Sequence, residues 1–500
     1  MENKNGAFNS RVGFILAAIG SAVGLGNIWR FSYVAYDNGG GAFLIPYFIA
    51  LVVVGIPLLV LEIGFGLKQR GSAALSFARL DKKWEWLGWW APIVSFVLMM
   101  YYSVIIGWTL NYAGYSIFQS WGTDPGAFFN QHLGLTDGIW NLGGFQWHIL
   151  ATVVVVWVAN FIIIYKGVQD GVEKAAKFFM PLLFILMAII TIRGITLPGA
   201  VQGLNQFLTP DFSQLMNANV WLAAFGQIFF TLSLGFGVMI TYASYLPEDS
   251  DVVNNAFITG LGNCAFSFLV GLGVFGILGY MAGQTGVPVE DVVAQSMGLA
   301  FVAFPKAISM LPAFSKLFAF MFFAALFIAG LSSSISLVEA MTANVMDKFN
   351  MTRHKATFIV CLIGLLGSLI FTTGAGLYFL DVIDHFNMQY GAALVGVIEC
   401  LVIAWALKAS VLRDWMNPRS DFEIGSWWVV LVKYAMPLIL GFLMIQNTII
   451  EFQIPYGDYP TNALAMGWGA AALVIITGMM IARVKWNDPR QLTMTEEEVA

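Results

Sequence analysis

The residues Gly20–Asn27 (GSAVGLGN) place three glycines, a serine and an asparagine in the middle of an apolar run that extends from Arg11 to Tyr36. Glycine weakens a helix by about 1 kcal/mol relative to alanine. At membrane depth an interrupted helix is tolerated only where the freed backbone groups line a cavity or bind a ligand. Thr231–Gly237 (TLSLGFG) repeats the pattern inside a second apolar run. A pair of interrupted segments predicts an ion and substrate site near the middle of a membrane.

The composition requires a membrane protein. Hydrophobic residues make up 59% of the chain and charged residues only 11%, with a mean hydropathy of +0.77. Cys264, Cys361 and Cys400 lie in apolar segments, so we expect no disulfide framework, and the first run is long enough to be retained as a span rather than removed as a signal peptide. The sequence predicts an all-α polytopic membrane protein of twelve transmembrane helices, at residues 11–36, 41–68, 88–120, 147–165, 171–193, 217–243, 252–282, 313–347, 355–373, 378–406, 426–449 and 461–483.

The basic residues set the predicted orientation. Nineteen of the 24 Lys and Arg residues fall in linkers on one side of these spans, so the positive-inside rule predicts that both termini are cytoplasmic in a multi-pass plasma-membrane protein. On the other side the two larger connections are 121–146 and 283–312, and the prolines of the second predict short capping helices. We expect a cytoplasmic segment at 1–10, a ten-helix core at 11–410, two additional helices at 411–485 and a cytoplasmic tail at 486–500.

Several motifs carry a family resemblance: Asn27–Phe31 (NIWRF), Asn38–Phe43 (NGGGAF), Ile45–Tyr47 (IPY), Gly55–Leu58 (GIPL) and Phe229–Ser233 (FFTLS). From about residue 9 to residue 410 the chain closely resembles the neurotransmitter:sodium symporters, above all their bacterial amino-acid branch. The resemblance implies the leucine-transporter type of fold. In that fold two inverted five-helix repeats, here segments 1–5 and 6–10, each begin with a broken helix, and two further helices follow.

The function implied by the resemblance is sodium-coupled import of an amino acid across the plasma membrane by alternating access. The alternative is a transport-inactive, sodium-dependent amino-acid sensor on the same scaffold. No metal or nucleophile motif points to an enzyme, since the four histidines are scattered. The partners expected are a small-molecule substrate and the lipid bilayer, with no nucleic acid, in a monomer or loose dimer.

A zwitterion at mid-membrane needs partners for both of its charges. The amides of Leu25 and Gly26 suit a carboxylate because they lie at the positive end of a half-helix, and carbonyls between Phe230 and Ser233 suit an ammonium group. Gly24 stands where amine transporters carry an aspartate, which favours a substrate with its own carboxylate and, with the apolar lining, a neutral hydrophobic L-amino acid. The resemblance implies a substrate site of Ala22, Leu25, Gly26, Leu98, Tyr102, Ile105, Phe230, Thr231, Ser233, Phe236, Ser333 and Leu337.

Two sodium sites are implied by the resemblance. The first uses Ala22, Asn27, Thr231 and Asn263 together with the substrate carboxylate, which would couple ion and substrate directly. The second uses the carbonyls of Gly20, Val23 and Ala329 and the hydroxyls of Ser332 and Ser333.

A chloride site is one of two alternatives for a further group of polar residues. Tyr47, Gln227, Thr231, Asn263 and Ser267 match the positions that hold chloride in chloride-dependent members, and Ser267 stands where chloride-independent bacterial members often have a carboxylate. The alternative is a polar helix face that bonds internally, with an acid such as Glu62 balancing the charge. Glu62 itself either bonds free amides of the broken sixth helix or titrates, and the first role is favoured.

Gates follow from the same resemblance. Arg30 and Asp384 are expected to form an outer gate bridged by water, with Tyr102 and Phe230 as an aromatic lid. Asp347 is the expected inner gate carboxylate, but the usual arginine is replaced by Asn5 and the usual tryptophan by Phe8, so Lys4 or Arg11 is a candidate partner. Gly171 and Pro181 have the spacing that marks inner unwinding of the fifth helix, with a plain proline kink as the alternative.

Overall fold

The computed structural model describes residues 6–289 and 296–493. Within these residues the chain is helical, and its β structure is limited to two isolated bridges. In chain order the helices are α1 (Arg11–Ala22), α2 (Leu25–Asp37), α3 (Gly41–Gln69), α4 (Ala73–Leu80), α5 (Lys82–Ser116), α6 (Pro125–Leu133), α7 (Trp147–Tyr165), α8 (Val168–Ile195), α9 (Ala200–Leu208), α10 (Ala218–Thr231), α11 (Val238–Ala243), α12 (Val252–Thr285), α13 (Leu299–Ser309), α14 (Ser315–Phe349), α15 (Arg353–Thr372), α16 (Gly376–Arg419), α17 (Ser426–Gln453) and α18 (Thr461–Arg483).

The all-α polytopic class is confirmed. In the described part of the chain, ten helices are long and apolar enough to cross a membrane, namely α3, α5, α7, α8, α12 and α14–α18. The pair α1 and α2 meets the same test jointly, with a bend of 69° between them. The expected span 217–243 consists of α10 and the short α11, separated by non-helical residues 232–237. Both helices predicted to be broken are therefore broken, while the total of twelve spans and the inverted repeat remain predictions.

The packing places the first break at the centre of the molecule. Helices α5 and α14 contact each other along much of their length, and α1 packs against α8, α12 and α14. Ser10 begins α1 as its N-cap, because its Oγ accepts the Gly13 amide at 3.1 Å. The 283–312 connection contains α13, in agreement with its prediction, and α6 in the other large connection was not expected.

The two expected additional helices, α17 and α18, pack on helices of the preceding part of the chain. Helix α18 packs on α5 and α16, and α17 packs on α16. After α18 the chain turns back, and Trp486 Nε1 donates to Glu85 Oε2 at 2.9 Å. Glu85 also forms a fully buried ion pair with Lys348 at the end of α14.

Candidate functional site

The first break exposes backbone amides at the start of α2. Val23 and Gly24 are extended between α1 and α2. The Gly24 amide donates to Asn27 Oδ1 at 2.8 Å and the Leu25 amide donates to Tyr102 Oη at 3.2 Å. A Cβ at Gly24 would lie 3.0 Å from both Tyr102 Oη and Ser333 Oγ, whereas a Cβ at Gly26 would meet nothing within 4 Å. A side chain at Gly24 would therefore press against Tyr102 and Ser333, whereas the space beside Gly26 is open.

The second break lies between α10 and α11. Ser233, Gly235 and Gly237 have φ values of +53°, +74° and +69°, a conformation that glycine adopts without strain. The Ser233 hydroxyl donates at 3.2 Å to the carbonyl of Ser21 in the last turn of α1, so the second break contacts the helix end that borders the first. The Gly235 amide donates to Glu62 Oε1 at 2.8 Å. The favoured role of Glu62, bonding an amide of the broken sixth helix, is confirmed.

Four of the residues expected at the first sodium site and the chloride site, Asn27, Thr231, Asn263 and Ser267, form one buried cluster. Asn27 Nδ2 lies 2.9 Å from Thr231 Oγ1 and 2.8 Å from both Asn263 Oδ1 and Ser267 Oγ. One amide nitrogen carries two hydrogens, so it cannot serve all three oxygens at once. Such a cluster of two hydroxyls and two side-chain amides at a helix break can rearrange around a cation without importing new groups.

Two further members of the chloride set are incompletely bonded. Among the described residues, Tyr47 Oη and Gln227 Oε1 are buried side-chain atoms without a hydrogen-bond partner. The Tyr47 phenol carries a hydrogen that an anion accepts, whereas the unpaired Gln227 atom is an amide oxygen, which accepts and does not donate. Buried polar groups normally find partners, so Tyr47 fits a polar ligand such as chloride.

All five residues predicted for the second sodium site meet between α1 and α14. Ser333 Oγ lies 3.3 Å from the Gly20 carbonyl, 3.1 Å from that of Val23 and 3.3 Å from that of Ala329. Ser332 Oγ donates to the Ala329 carbonyl at 2.9 Å. A cavity of about 10 Å³ beside this group is lined by Gly20 and Ser332 together with Val172, Ala176 and Tyr242. The oxygen set is of the kind that a hard cation prefers, and the cavity connects it to α8.

The expected substrate residues come from both breaks and the helices around them, with Ala22 at the end of α1 and Leu25 and Gly26 at the start of α2. Leu98, Tyr102 and Ile105 share one face of α5, since they are spaced at i, i+4 and i+7. Ser333 and Leu337 are one turn apart on α14. Phe230 and Thr231 end α10, and Ser233 and Phe236 follow in the second break. Leu98, Tyr102 and Phe230 keep partial exposure, whereas Ile105, Phe236 and Leu337 are buried.

The expected outer gate residues lie on α2 and α16 without direct contact. Within the described residues no ion pair within 4.0 Å joins Arg30 to Asp384, and the Arg30 guanidinium lies 4.8 Å from the centre of the Phe230 ring. Asp384 Oδ1 accepts the Tyr101 hydroxyl at 2.8 Å. Arg30 is exposed, so this side of the site is accessible to solvent.

Of the two cations considered for the inner gate carboxylate Asp347, Arg11 is paired elsewhere. Arg11 forms an ion pair with Asp251 at 3.4 Å instead of with Asp347, because Arg11 begins α1 beside the N-cap of α12. Lys4, the other candidate, lies outside the described residues. Asp347 Oδ2 accepts the Ser72 amide at 3.0 Å. Phe8 is buried among the rings of Phe14, Tyr242 and Tyr245.

An ion pair that the sequence analysis missed lies next to Tyr245. Glu339 on α14 is fully buried and accepts two hydrogen bonds from Arg353, at 2.7 and 2.9 Å. Tyr245 Oη also donates to Glu339, at 2.7 Å. A glutamate at the polar end of an apolar span was the available signal, but nothing in the sequence pairs it with an arginine fourteen residues later. The group ties α14 and α15 to the segment that follows α11.

Helix α8 is helical around Gly171, where the sequence predicts that its inner end unwinds. Val168–Glu173 forms a π-helical turn, and Pro181 lies inside the regular helix that follows. Glu173 Oε2 accepts the Asn9 amide at 2.7 Å, and Glu173 Oε1 accepts the Ser10 hydroxyl at 2.9 Å. The start of α8 is thus bonded to the residues that precede α1, so any unwinding here would also release the N-terminal segment.

Comparison with known proteins extends these observations to the whole chain. The model of the sodium:neurotransmitter symporter family matches residues 5–127 and 123–488. An uncharacterized sodium-dependent transporter of Methanocaldococcus jannaschii is 44% identical over 96% of this chain and 98% of its own length. The sodium-dependent dopamine transporter of Bos taurus is 32% identical over 93% of this chain and 72% of its own length. The sodium- and chloride-dependent taurine transporter of Rattus norvegicus is 30% identical, covering 93% of this chain and 82% of its own.

Proposed function

Since this chain belongs to the sodium:neurotransmitter symporter family, whose members are membrane transporters and not enzymes, we propose that it is a symporter that couples Na⁺ entry to import of a neutral hydrophobic L-amino acid. The proposed site of action is the plasma membrane, with both termini in the cytoplasm. Alternating access to the two broken helices is the proposed mechanism. The relatives named for dopamine and taurine differ in substrate, so the substrate class is argued from this chain's own residues.

The observation that carries the amino-acid assignment is the geometry at Gly24 and Gly26. Gly24 supplies no carboxylate and a Cβ there would press on Tyr102 Oη and Ser333 Oγ, while the space beside Gly26 is open and bordered by the start of α2. A carboxylate there would face the positive end of a helix. The Tyr102 hydroxyl, now accepting the Leu25 amide, carries a hydrogen that it can donate to the same carboxylate.

The pocket lining supports a neutral, apolar side chain. Ile105, Phe236 and Leu337 are buried apolar residues, and Leu98 keeps partial exposure. An apolar pocket of this kind discriminates one methylene by only about 1–3 kcal/mol. We therefore assign the class of substrate and no single amino acid.

Coupling rests on two proposed sodium sites. In the first, Ala22, Asn27, Thr231 and Asn263 would bind Na⁺ together with the substrate carboxylate, so that neither ligand binds well alone. In the second, the oxygens of Gly20, Val23, Ala329, Ser332 and Ser333 would join α1 to α14. Na⁺ at this site would take the place of the hydrogen bonds that Ser333 Oγ now makes across the same gap.

Chloride is proposed as a further ion. Two Na⁺ ions and a zwitterion bring two positive charges into a region of low dielectric, where an anion is strongly favoured. Tyr47, Gln227 and Ser267 supply groups that can donate to it, and Ser267 leaves the cluster without a carboxylate.

The test is uptake of radiolabelled L-amino acids into proteoliposomes with an inward Na⁺ gradient, in chloride and in gluconate. We expect accumulation of hydrophobic amino acids that depends on both ions. Asn27→Ala should weaken the sodium dependence, and Ser267→Glu should allow uptake in gluconate. Wild-type uptake that is equal in gluconate would refute the chloride assignment, and sodium-dependent binding without accumulation would indicate the sensor instead.

A further inference from the structure

Two tyrosines outside the ten-helix core hold a carboxylate on the gate helix. Residues 454–460 connect α17 to α18, and we call them the outer strap. Tyr456 Oη donates to Asp381 Oδ1 at 2.9 Å, and Tyr459 Oη donates to Asp381 Oδ2 at 2.8 Å. Because each oxygen of Asp381 has its own donor, both the position and the rotation of this carboxylate are fixed.

The strap tyrosines remain donors over the whole physiological pH range. Burial, followed by the negative charge of Asp381, raises the pKa of both phenols well above the usual value. A protonated phenol beside a carboxylate forms a charge-assisted hydrogen bond, which is stronger than a bond between neutral groups. The contact is therefore a stable one and does not switch off at neutral pH.

A second contact anchors the same helix one turn further on. His385 Nε2 lies 2.6 Å from Glu451 Oε2 near the end of α17. The His385 ring stacks on Tyr456, with 3.7 Å between ring centres and 14° between the planes. The outer strap and the end of α17 thus contact α16 at two positions one turn apart, Asp381 and His385.

The gate carboxylate lies between these two anchors. Asp381 and Asp384 are three residues apart and share a face of α16, and His385 follows Asp384 directly. On its other side Asp384 accepts the Tyr101 hydroxyl from α5 at 2.8 Å. Any rotation of α16 that carries Asp384 toward Arg30 must also move Asp381 and His385 against the strap.

We propose that Tyr456 and Tyr459 are positioning residues of the outer gate. They set the distance between Asp384 and Arg30, and this distance decides whether the gate is open or closed. This inference rests on the proposed alternating-access function. It assigns a role in gating to the two additional helices, which lie outside the core that carries the substrate and ion sites. The tyrosines bond to Asp381 rather than to Asp384, and the effect that we assign to them is on the position of α16.

A labelling experiment tests this without any substrate. Val34 is half-buried on α2, on the same face as Arg30 and one turn away, so Val34→Cys reports access to the gate. The native Cys264, Cys361 and Cys400 are buried. Labelling by a membrane-impermeant thiol reagent in Na⁺ is compared for Val34→Cys alone and combined with Tyr456→Phe plus Tyr459→Phe. Tyr434→Phe, an exposed tyrosine on the same α17, is the matched control.

We expect the paired phenylalanine substitutions to change the labelling rate by roughly three- to tenfold, since each removes a bond to a charged group. Tyr434→Phe should leave the rate unchanged. In an Asp384→Ala background the same substitutions should have no further effect, because the group that they position is gone. An unchanged rate, or an effect of equal size with and without Asp384, would overturn the proposal.

The experiment distinguishes failure of this proposal from failure of the proposed transport function. If the paired variant does not fold, Tyr459→Phe alone carries the test, since it leaves the stack of Tyr456 on His385 intact. If the wild type accumulates no amino acid, the proposed transport function fails. The labelling rates still decide whether the strap positions the gate.

Discussion

Glu62 illustrates how a single buried side chain supports a broken helix. Its Oε1 accepts the Gly235 amide, which would otherwise be unsatisfied in the middle of the protein. Glu399 on α16 is also fully buried and interacts electrostatically with Glu62. The sequence predicted the bond between Glu62 and the sixth helix because a carboxyl in an apolar span needs a donor. It did not predict that Glu399 lies near Glu62, because the two carboxyl groups come from distant segments of the chain.

We predict that Glu62→Ala lowers the stability of the protein and Glu62→Gln does not. Alanine leaves the Gly235 amide buried without an acceptor, at a cost of about 1–3 kcal/mol. Glutamine retains a carbonyl oxygen that can accept the same bond. Thermal unfolding in detergent measures the difference, and equal losses in both variants would contradict the assigned role.

The buried His132 on α6 is expected to make the stability of the protein depend on pH. Burial, and secondarily the charge of His148, lowers the pKa of His132 from 6.5 to about 3. The unfolded chain therefore binds more protons than the folded chain between these values. The stability contributed by the neutral ring is fully present above about pH 6.5 and is lost progressively toward pH 3, by roughly 3–6 kcal/mol.

The check is the slope of the unfolding midpoint against pH. His132→Gln should flatten the decline between pH 6.5 and pH 4, whereas His354→Gln, at an exposed position, should follow the wild type. A wild-type slope in His132→Gln would refute the prediction.

At the scale of helices, the sequence predicted both breaks but not what holds the ends of the spans together. Gly24 marks the first break, where a Cβ would press against Tyr102 and Ser333, and Gly235 marks the second because few other residues adopt its φ of +74°. Glu339 and Arg353 could not be paired in advance, since the pair depends on how α14 turns into α15. Arg11 was a reasonable partner for Asp347 by charge, yet the N-cap aspartate of α12 is the group that it reaches.

The wound start of α8 gives a prediction for Gly171. A Cβ at this position would lie 1.8 Å from the Ile163 carbonyl oxygen on α7, so the helices would have to separate. We expect Gly171→Ala to cost at least about 1–3 kcal/mol of stability. Gly226→Ala on α10, where a Cβ meets nothing within 4 Å, is the control. Equal unfolding midpoints for the two variants would contradict the wound structure of α8.

At the scale of the whole molecule, the segment after α18 packs over the buried ion pair of Glu85 and Lys348. Trp486 is 5% exposed, donates to Glu85, and lies 4.7 Å from Lys348 Nζ across its ring. The fully buried ion pair depends on this coverage, because an uncompensated buried charge is costly. The sequence predicted this segment only as part of a tail, since a lone tryptophan among polar residues does not reveal its pocket.

We predict that Trp486→Phe destabilises the protein by about 1–3 kcal/mol through the lost bond to Glu85. Trp427→Phe, at an exposed position on α17, should have little effect. Thermal unfolding of the two variants measures the difference, and a neutral Trp486→Phe would show that Glu85 and Lys348 need no third partner.

The most direct test of the account is accumulation driven by a sodium gradient, with chloride present. Proteoliposomes loaded with a hydrophobic L-amino acid at the external concentration are given an inward Na⁺ gradient, and the internal amino acid is followed over time. We predict accumulation above the external concentration that collapses when a sodium ionophore removes the gradient. Equilibration without accumulation, or accumulation that survives the ionophore, would contradict sodium-coupled symport.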